Sequence, residues 1–229
     1  MTRIALFGAG GRAGRRVIDE SLLRGHEVTA IVRDKDKYAH LERPGVSLAL
    51  GDVTDAGQVA EAVRGHDAVL VAVYRPDVDA DAYYGAVARA LIEGLGRAEV
   101  RRLVVLGIGT LLESSPGVRF MDQPEFPPDY LPFNDGRVLE LEILRDSPQE
   151  LDWVVVCAPP SGLDNVTPRT GHYRVTGHAL APYDNGDGPR FEFPYNAKGP
   201  LFTFTDLAVA LVDEADSPRH HRDLVGIAP

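Results

Sequence analysis

Lysine, cysteine and long apolar runs are scarce in this 229-residue chain. A single cysteine, Cys157, excludes an internal disulfide and a thiolate metal cage. It lies in the apolar run WVVVCA and reads as an inert buried thiol. No stretch approaches the ~20 apolar residues of a membrane helix. The chain enters a strand pattern at once, without the basic and apolar regions of a signal peptide, so a cytoplasmic protein with no membrane partner is expected. Acidic residues outnumber basic ones, 34 to 24, and the net charge of −10 argues against a nucleic-acid partner. The seven histidines show no H-x-x-x-H spacing, and the adjacent His220 and His221 should point apart on a strand. DNGDG (184–188) lacks the spaced ligands and terminal glutamate of a calcium loop and reads as a turn, so no metal is expected.

What is present is an alternation. RIALF (3–7), EVTAIV (27–32), VSLAL (46–50), AVLVAV (68–73), RLVVLG (102–107) and DWVVVC (152–157) are short and aliphatic, as strands covered on both faces are. Helix patterns fall near 12–24, 55–64, 80–97 and 134–146. Thr54 or Asp55 is placed to cap the second, and Gly25 and Gly65 stand where helices stop. The helix AYYGAVARALIEGL is amphipathic and suits core or dimer packing. TFTDLAVALVDEADSP and RDLVGIA supply a capped helix and a last strand. The pattern predicts one α/β domain over 1–229, a doubly wound Rossmann-type parallel sheet. Two segments break it: 112–133, with five prolines, reads as a long irregular loop, and 158–200 as a small irregular substrate-side subregion. Both follow strands at the carboxyl edge, where open α/β sheets bind ligands.

Between RIALF and the first helix stands GAGGRAG. Gly8, Gly10 and Ala13 fit G-x-G-x-x-G/A, whereas Gly8, Gly11 and Gly14 fit G-x-x-G-x-x-G. Either register places glycines where a backbone must approach a pyrophosphate at a helix N-terminus. One-domain length and GDVTD downstream favour the second, with Gly10 as a further close-approach glycine. Arg33 is the first residue past the second strand, about 20 residues beyond Gly14, where an acid suits a ribose 2′-hydroxyl and an arginine a 2′-phosphate. Asp34 follows at once. Arg12 is placed to supply a second cation to the same phosphate. NADP(H) is favoured over NAD(H); the alternative is that Arg33 belongs to the solvated run RDKDKY and Arg12 faces water.

The stretches IALFGAGGRAGRRVIDESLLRGHEVTAIVRD, LALGDVTD, GHDAVLVAV and RRLVVLG, with RTGHYRV and TFTDLAVALVDE more weakly, resemble the atypical short-chain dehydrogenase/reductases. The likeness is to the NAD(P)H-binding, NmrA-like group, which includes biliverdin/flavin-reductase-like proteins. The resemblance implies that Asp52 and Val53 sit beside the adenine, Asp52 accepting from its amino group; Asp52 could otherwise be a strand-end turn residue. It implies that Ala72, Val73 and Tyr74 line the ribose and pyrophosphate path. It places Ala158, Pro159 and Pro160 at the nicotinamide end.

Ordinary members of that superfamily use Tyr-x-x-x-Lys, the lysine lowering the tyrosine pKa while the tyrosine exchanges a proton with substrate. Here none of the eight tyrosines precedes a lysine at that spacing, and the only lysines are Lys35, Lys37 and Lys198. Three other residues are candidates for catalysis. Thr110 is roughly where the family's polar hydroxyl falls, or is a loop hydroxyl bonding its own backbone. Tyr130 lies on the proline-rich loop near the expected place of the missing dyad, or is an aromatic anchor packing that loop. His172 in RTGHYR is a proton donor or substrate contact, or else a surface histidine. Hydride transfer is the cofactor's chemistry and needs mainly alignment and water exclusion. The expectation is an NADP(H)-dependent oxidoreductase, monomer or homodimer, acting on a small flat substrate of flavin, quinone or enone type. The alternative is a non-catalytic NADP(H)-binding sensor or regulator. A sugar-nucleotide epimerase or dehydratase is disfavoured, since it requires the Tyr–Lys pair and a larger C-terminal domain.

Overall fold

The aliphatic runs become strands of one sheet in the computed structural model, which describes residues 1–159, 163–181 and 202–229. In chain order the first half contains β1 (Arg3–Phe7), α1 (Arg12–Leu23), β2 (Glu27–Val32), α2 (Lys35–Tyr38), β3 (Val46–Leu50), α3 (Ala56–Val63), β4 (Ala68–Val71) and α4 (Ala80–Ala98). Then come β5 (Arg102–Ile108), the hairpin β6 (Glu113–Ser115) and β7 (Val118–Arg119), α5 (Leu131–Arg145) and β8 (Asp152–Ala158). The remainder is β9 (Leu163–Asp164), β10 (Arg174–Gly177), β11 (Phe202–Thr203), α6 (Phe204–Asp216) and β12 (Asp223–Ala228). Among the described residues the main sheet has the order β10-β12-β8-β5-β4-β1-β2-β3, parallel except for the antiparallel edge strand β10.

Alternate residues of each central strand enter opposite layers, the consequence of a two-residue side-chain period. Ala5 and Phe7 of β1, with Trp153 and Val155 of β8, pack against Val59 of α3, Leu91 of α4 and Leu144 of α5. Ile4, Leu6, Val154 and Val156 pack instead against Val17 of α1 and Leu207 and Leu211 of α6. Burying each such side chain contributes about 1.5–3 kcal/mol. This two-sided burial explains why the strands read as unbroken apolar runs.

Side-chain oxygens start the helices. Asp55 accepts from Gln58 N at 3.0 Å, Asp79 from Ala82 N at 2.9 Å and Thr203 from Asp206 N at 2.8 Å. Gly25 (φ +76°) and Gly65 (φ +78°) end α1 and α3.

Three sequence expectations are corrected. Helix α5 begins at Leu131, before 134, because Pro132 supplies a preset φ in its first turn. The segment 112–133 is not structureless: Pro116–Gly117 turns the hairpin β6–β7, with Gly117 at φ +77°, and single 3-10 turns follow. His220 and His221 lie before β12 rather than on a strand, pairing with Glu214 (2.7 Å) and Asp152 (3.0 Å). Pro160, the DNGDG turn and about half of the 158–200 subregion lie outside the described residues. Among the described residues no helix is long and apolar enough to cross a membrane.

Candidate functional site

β1 has β2 on one side and β4 on the other, so the strand order reverses there. At such a switch point the loops leaving the carboxyl ends of the strands part and leave a crevice. A cleft of about 810 Å³ lies over these ends, lined from Phe7–Ala13 and Val32–Arg33 across Ala72–Arg75 and Leu106–Thr110 to Ala158 and Pro159. Its size is that of a small-molecule site.

The turn after β1 is built on two glycines. Gly8 has φ +82°, and a Cβ there would lie 2.4 Å from the Ala72 carbonyl oxygen. A Cβ on Gly14 would lie 2.2 Å from the Gly8 carbonyl oxygen. Gly8 is common to both registers, Gly14 belongs to Gly8–Gly11–Gly14 alone, and at Gly10 a Cβ would meet the Tyr38 ring. Gly11 N donates to Gly8 O at 3.0 Å and Gly11 occupies the N-cap of α1, with no side-chain cap and no acid in the first turn. The first N–H groups of α1, on Arg12, Ala13 and Gly14, therefore keep their capacity for an anion.

At one end of the cleft Arg33 is exposed, with no hydrogen bond or salt bridge among the described residues. Asp34 turns away and caps α2, its Oδ1 accepting from Lys37 N at 3.0 Å. Tyr38, at the end of α2, lies against Gly10 and carries Lys37 Nζ 5.4 Å from its ring centroid. Asp52 bonds Thr54 N and Oγ1 through Oδ1, at 2.9 and 2.7 Å. It is a turn residue, yet it lines the cleft together with Val53.

Toward the other end the walls become aromatic. The exposed Tyr74 ring meets Phe133 edge-on at 5.3 Å, and Phe133 meets the buried Tyr84 at 5.7 Å. Behind them Arg137, 2 % exposed, pairs with Glu140 at 3.1 Å and donates to the Leu106 carbonyl. Its guanidinium lies 4.5 Å over the Tyr84 ring. Burial pushes the Glu140 carboxyl above its usual range, against the opposing pull of Arg137. Thr110 Oγ1 donates to Asn134 Oδ1, and Asn134 Nδ2 donates to the Tyr130 carbonyl at 2.7 Å. Arg12 leans 4.9 Å over the Phe204 ring at the start of α6. That contact carries it to the α6 side of β1, whereas Arg33 leaves β2 on the opposite side.

A family described as NAD(P)H-binding matches residues 8–190. The chain belongs to that family. This NAD(P)H-binding protein is 32% identical to the uncharacterized protein YwnB of Bacillus subtilis over 96% of its own length and 95% of that protein. A crystal structure of a Burkholderia pseudomallei protein, described there as an exported protein by proposal, superposes with TM-score 0.82 at 30% identity, covering both chains in full. SP1627 of Streptococcus pneumoniae, proposed to be an NADH-flavin reductase, superposes with TM-score 0.78 at 25% identity over 100% of this chain and 99% of that one. Together these agree with the atypical short-chain dehydrogenase/reductase group inferred from the sequence motifs.

In this NAD(P)H-binding protein the cleft brings together Gly8, Gly10, Gly11, Arg12, Ala13, Arg33, Asp52, Val53, Ala72, Val73, Tyr74, Ala158 and Pro159, along with Thr110 and Tyr130. Gly14 stands behind the turn, and Pro160 lies outside the described residues. His172 is exposed and is not among the cleft's lining residues. Its neighbours strap the segment to α1 and α6: Arg169 to Glu20 at 2.7 Å, Thr170 and Gly171 N–H to Asp206, and Tyr173 to Asp213. The Cys157 thiol is buried and its pKa is pushed up to about 12 by desolvation, which leaves it a packing group. Sequence reasoning missed Tyr38, Asn134 and the pair Phe133 and Arg137. That pair, in FNDGR, lines the cleft one helical turn apart. It has the aromatic-x-x-x-basic spacing of the absent Tyr-x-x-x-Lys, and a search restricted to tyrosine passes over it.

Proposed function

We propose that this protein is an NADP(H)-dependent oxidoreductase that moves hydride to or from a small flat substrate of flavin, quinone or enone type. The observation that carries the reading is the continuity of the cleft. It runs from an uncapped helix N-terminus into a space walled by the Tyr74 and Phe133 rings. The residues fit a nicotinamide dinucleotide. The turn Gly8–Gly14 and the α1 N–H groups would hold the pyrophosphate, and Arg12 would lie alongside. Arg33 would take the 2′-phosphate, with Asp34 committed to capping α2. Asp52 and Val53 would flank the adenine, and Ala158 and Pro159 the nicotinamide end. The cofactor supplies the hydride; the protein aligns the two rings and keeps water away from their contact. Thr110 and Tyr130 are in reach of that space, and His172 is not part of this reading.

A cytoplasmic monomer or homodimer belongs to the same proposal, in keeping with a lone buried thiol and no internal disulfide. The test is NADPH oxidation with a panel of flavins, quinones and enones, followed by substitution of Phe133 and Thr110. Turnover that falls with these substitutions supports the enzyme. Tight NADPH binding without turnover across the panel would establish the sensor instead.

A further inference from the structure

Three groups at the substrate end of the cleft determine one another's polarity. Asn134 Nδ2 donates to the Tyr130 carbonyl at 2.7 Å. A carbonyl oxygen only accepts, so the amide nitrogen faces Tyr130 and the amide oxygen faces the opposite way. That oxygen is in hydrogen-bond contact with Thr110 Oγ1. An amide oxygen also only accepts, so the Thr110 hydroxyl is the donor. Threonine has one hydroxyl proton, and here it is committed to a side chain 3 % exposed and held in the first turn of α5. Thr110 itself borders the cleft and is partly exposed. What it turns toward a bound molecule is lone pair.

We propose that Asn134 is a positioning residue that fixes Thr110 as a hydrogen-bond acceptor. Thr110 thereby selects, among flat hydride acceptors, those that present an N–H. An oxidised isoalloxazine ring has one ring N–H, at N3, whereas a simple quinone offers only carbonyl oxygens, which would meet the Thr110 oxygen unpaired. A buried acceptor left without a donor disfavours that complex. Thr110 is equally unable to supply a proton. In the reduction the hydride carries both electrons to the ring, and the accompanying proton comes from water. The inference rests on the oxidoreductase reading above, and the experiment separates the two.

Riboflavin and its N3-methyl derivative differ at that one N–H. Their binding is read by quenching of flavin fluorescence on protein saturated with NADP⁺, and turnover is read separately by NADPH oxidation. The wild-type protein should bind riboflavin about tenfold more tightly than the N3-methyl flavin. Thr110→Val should erase that difference, and Thr110→Ser should keep it. Asn134→Ala, which releases the Thr110 proton, should narrow it. Thr110→Val and Thr110→Ser, which leave Asn134 and its bond to the Tyr130 carbonyl in place, keep the test decisive in the case in which the alanine variant folds poorly. The NADPH Kd should stay within about twofold throughout. Equal affinities for the two flavins in the wild-type protein, or no binding of either, overturn the proposal. So does a Thr110→Val variant that loses NADPH affinity in parallel, since the lone pair would then serve the cofactor. A tenfold preference in binding with no NADPH oxidation would uphold the polarity of Thr110 and overturn the oxidoreductase reading.

Discussion

Asp34 accepts a hydrogen bond from the backbone N–H of Lys37 at 3.0 Å, and this contact engages the acid next to Arg33 in capping α2. The pair Arg33–Asp34 is ambiguous as sequence. On the proposed reading the cap leaves Arg33 as the group that meets a 2′-phosphate. Arg33→Asp is therefore expected to weaken NADPH binding by about 10- to 100-fold while changing NADH binding by less than about threefold. Isothermal titration with both nucleotides is the check, and equal losses would refute the 2′-phosphate role.

Gly14 is where α1 touches the turn that it follows. An alanine Cβ would fall 2.2 Å from the Gly8 carbonyl oxygen and 2.7 Å from Ala9 Cα, both backbone atoms with little room to yield. Gly14→Ala should cost about 1–3 kcal/mol of stability and abolish measurable NADPH binding by spreading the turn. Gly96→Ala, on an open stretch of α4 with nothing within 4 Å, should instead stabilise by up to about 1 kcal/mol. Urea unfolding of both variants, with NADPH titration of the first, reads the contrast.

Glu20 ties the strap at 169–173 to the helices beneath it. Burial pushes its carboxyl up, but bidentate Arg169 and neighbouring Arg24 outweigh that and hold the carboxyl below its usual 4.5. A depressed folded pKa contributes stability that is complete above about pH 4.5 and lost as pH falls through the lower folded value. Glu20→Gln should lower Tm by roughly 5 °C at neutral pH, and the gap to wild type should close in acid. A gap that is constant from pH 7 to pH 3 would show that the ion pairs contribute nothing.

Arg222, at φ +52°, closes the far end of α5. Its guanidinium donates to the carbonyls of Arg145, Ser147, Pro148 and Leu151 at 2.8–3.1 Å, and to Ser147 Oγ at 3.2 Å. Arg222→Ala should cost about 2–3 kcal/mol by leaving these acceptors without a donor, and Arg222→Lys should recover less than half, because an ammonium lacks the planar fork. Thermal melts of the three proteins decide it.

Much of the fold was legible because a doubly covered parallel strand leaves a local signature, an unbroken aliphatic run such as AVLVAV closed by a turn. The Pro116–Gly117 hairpin carried a signal too, a proline–glycine pair, yet the surrounding prolines masked it as loop. That Gly8 and Gly14 admit no side chain was decided by two close approaches, Gly8 to Ala72 and Gly14 to Gly8. The first joins residues far apart in the chain. Arg12 shows the limit most clearly. As sequence it is a cation in the phosphate turn, but the start of α6 offers it the Phe204 ring, and it leans there.

By itself the sequence determined the order of the main strands and helices, the place of the glycine turn after β1 and the absence of a Tyr–Lys pair, since all three depend on residue types at short spacing. Tertiary structure alone decided that Asn134 fixes the polarity of Thr110, that Arg137 and Phe133 reach the cleft, and that His172 does not. Those outcomes depend on which strand end or helix stands beside which, and hydrogen-bond direction and burial are properties of such neighbours.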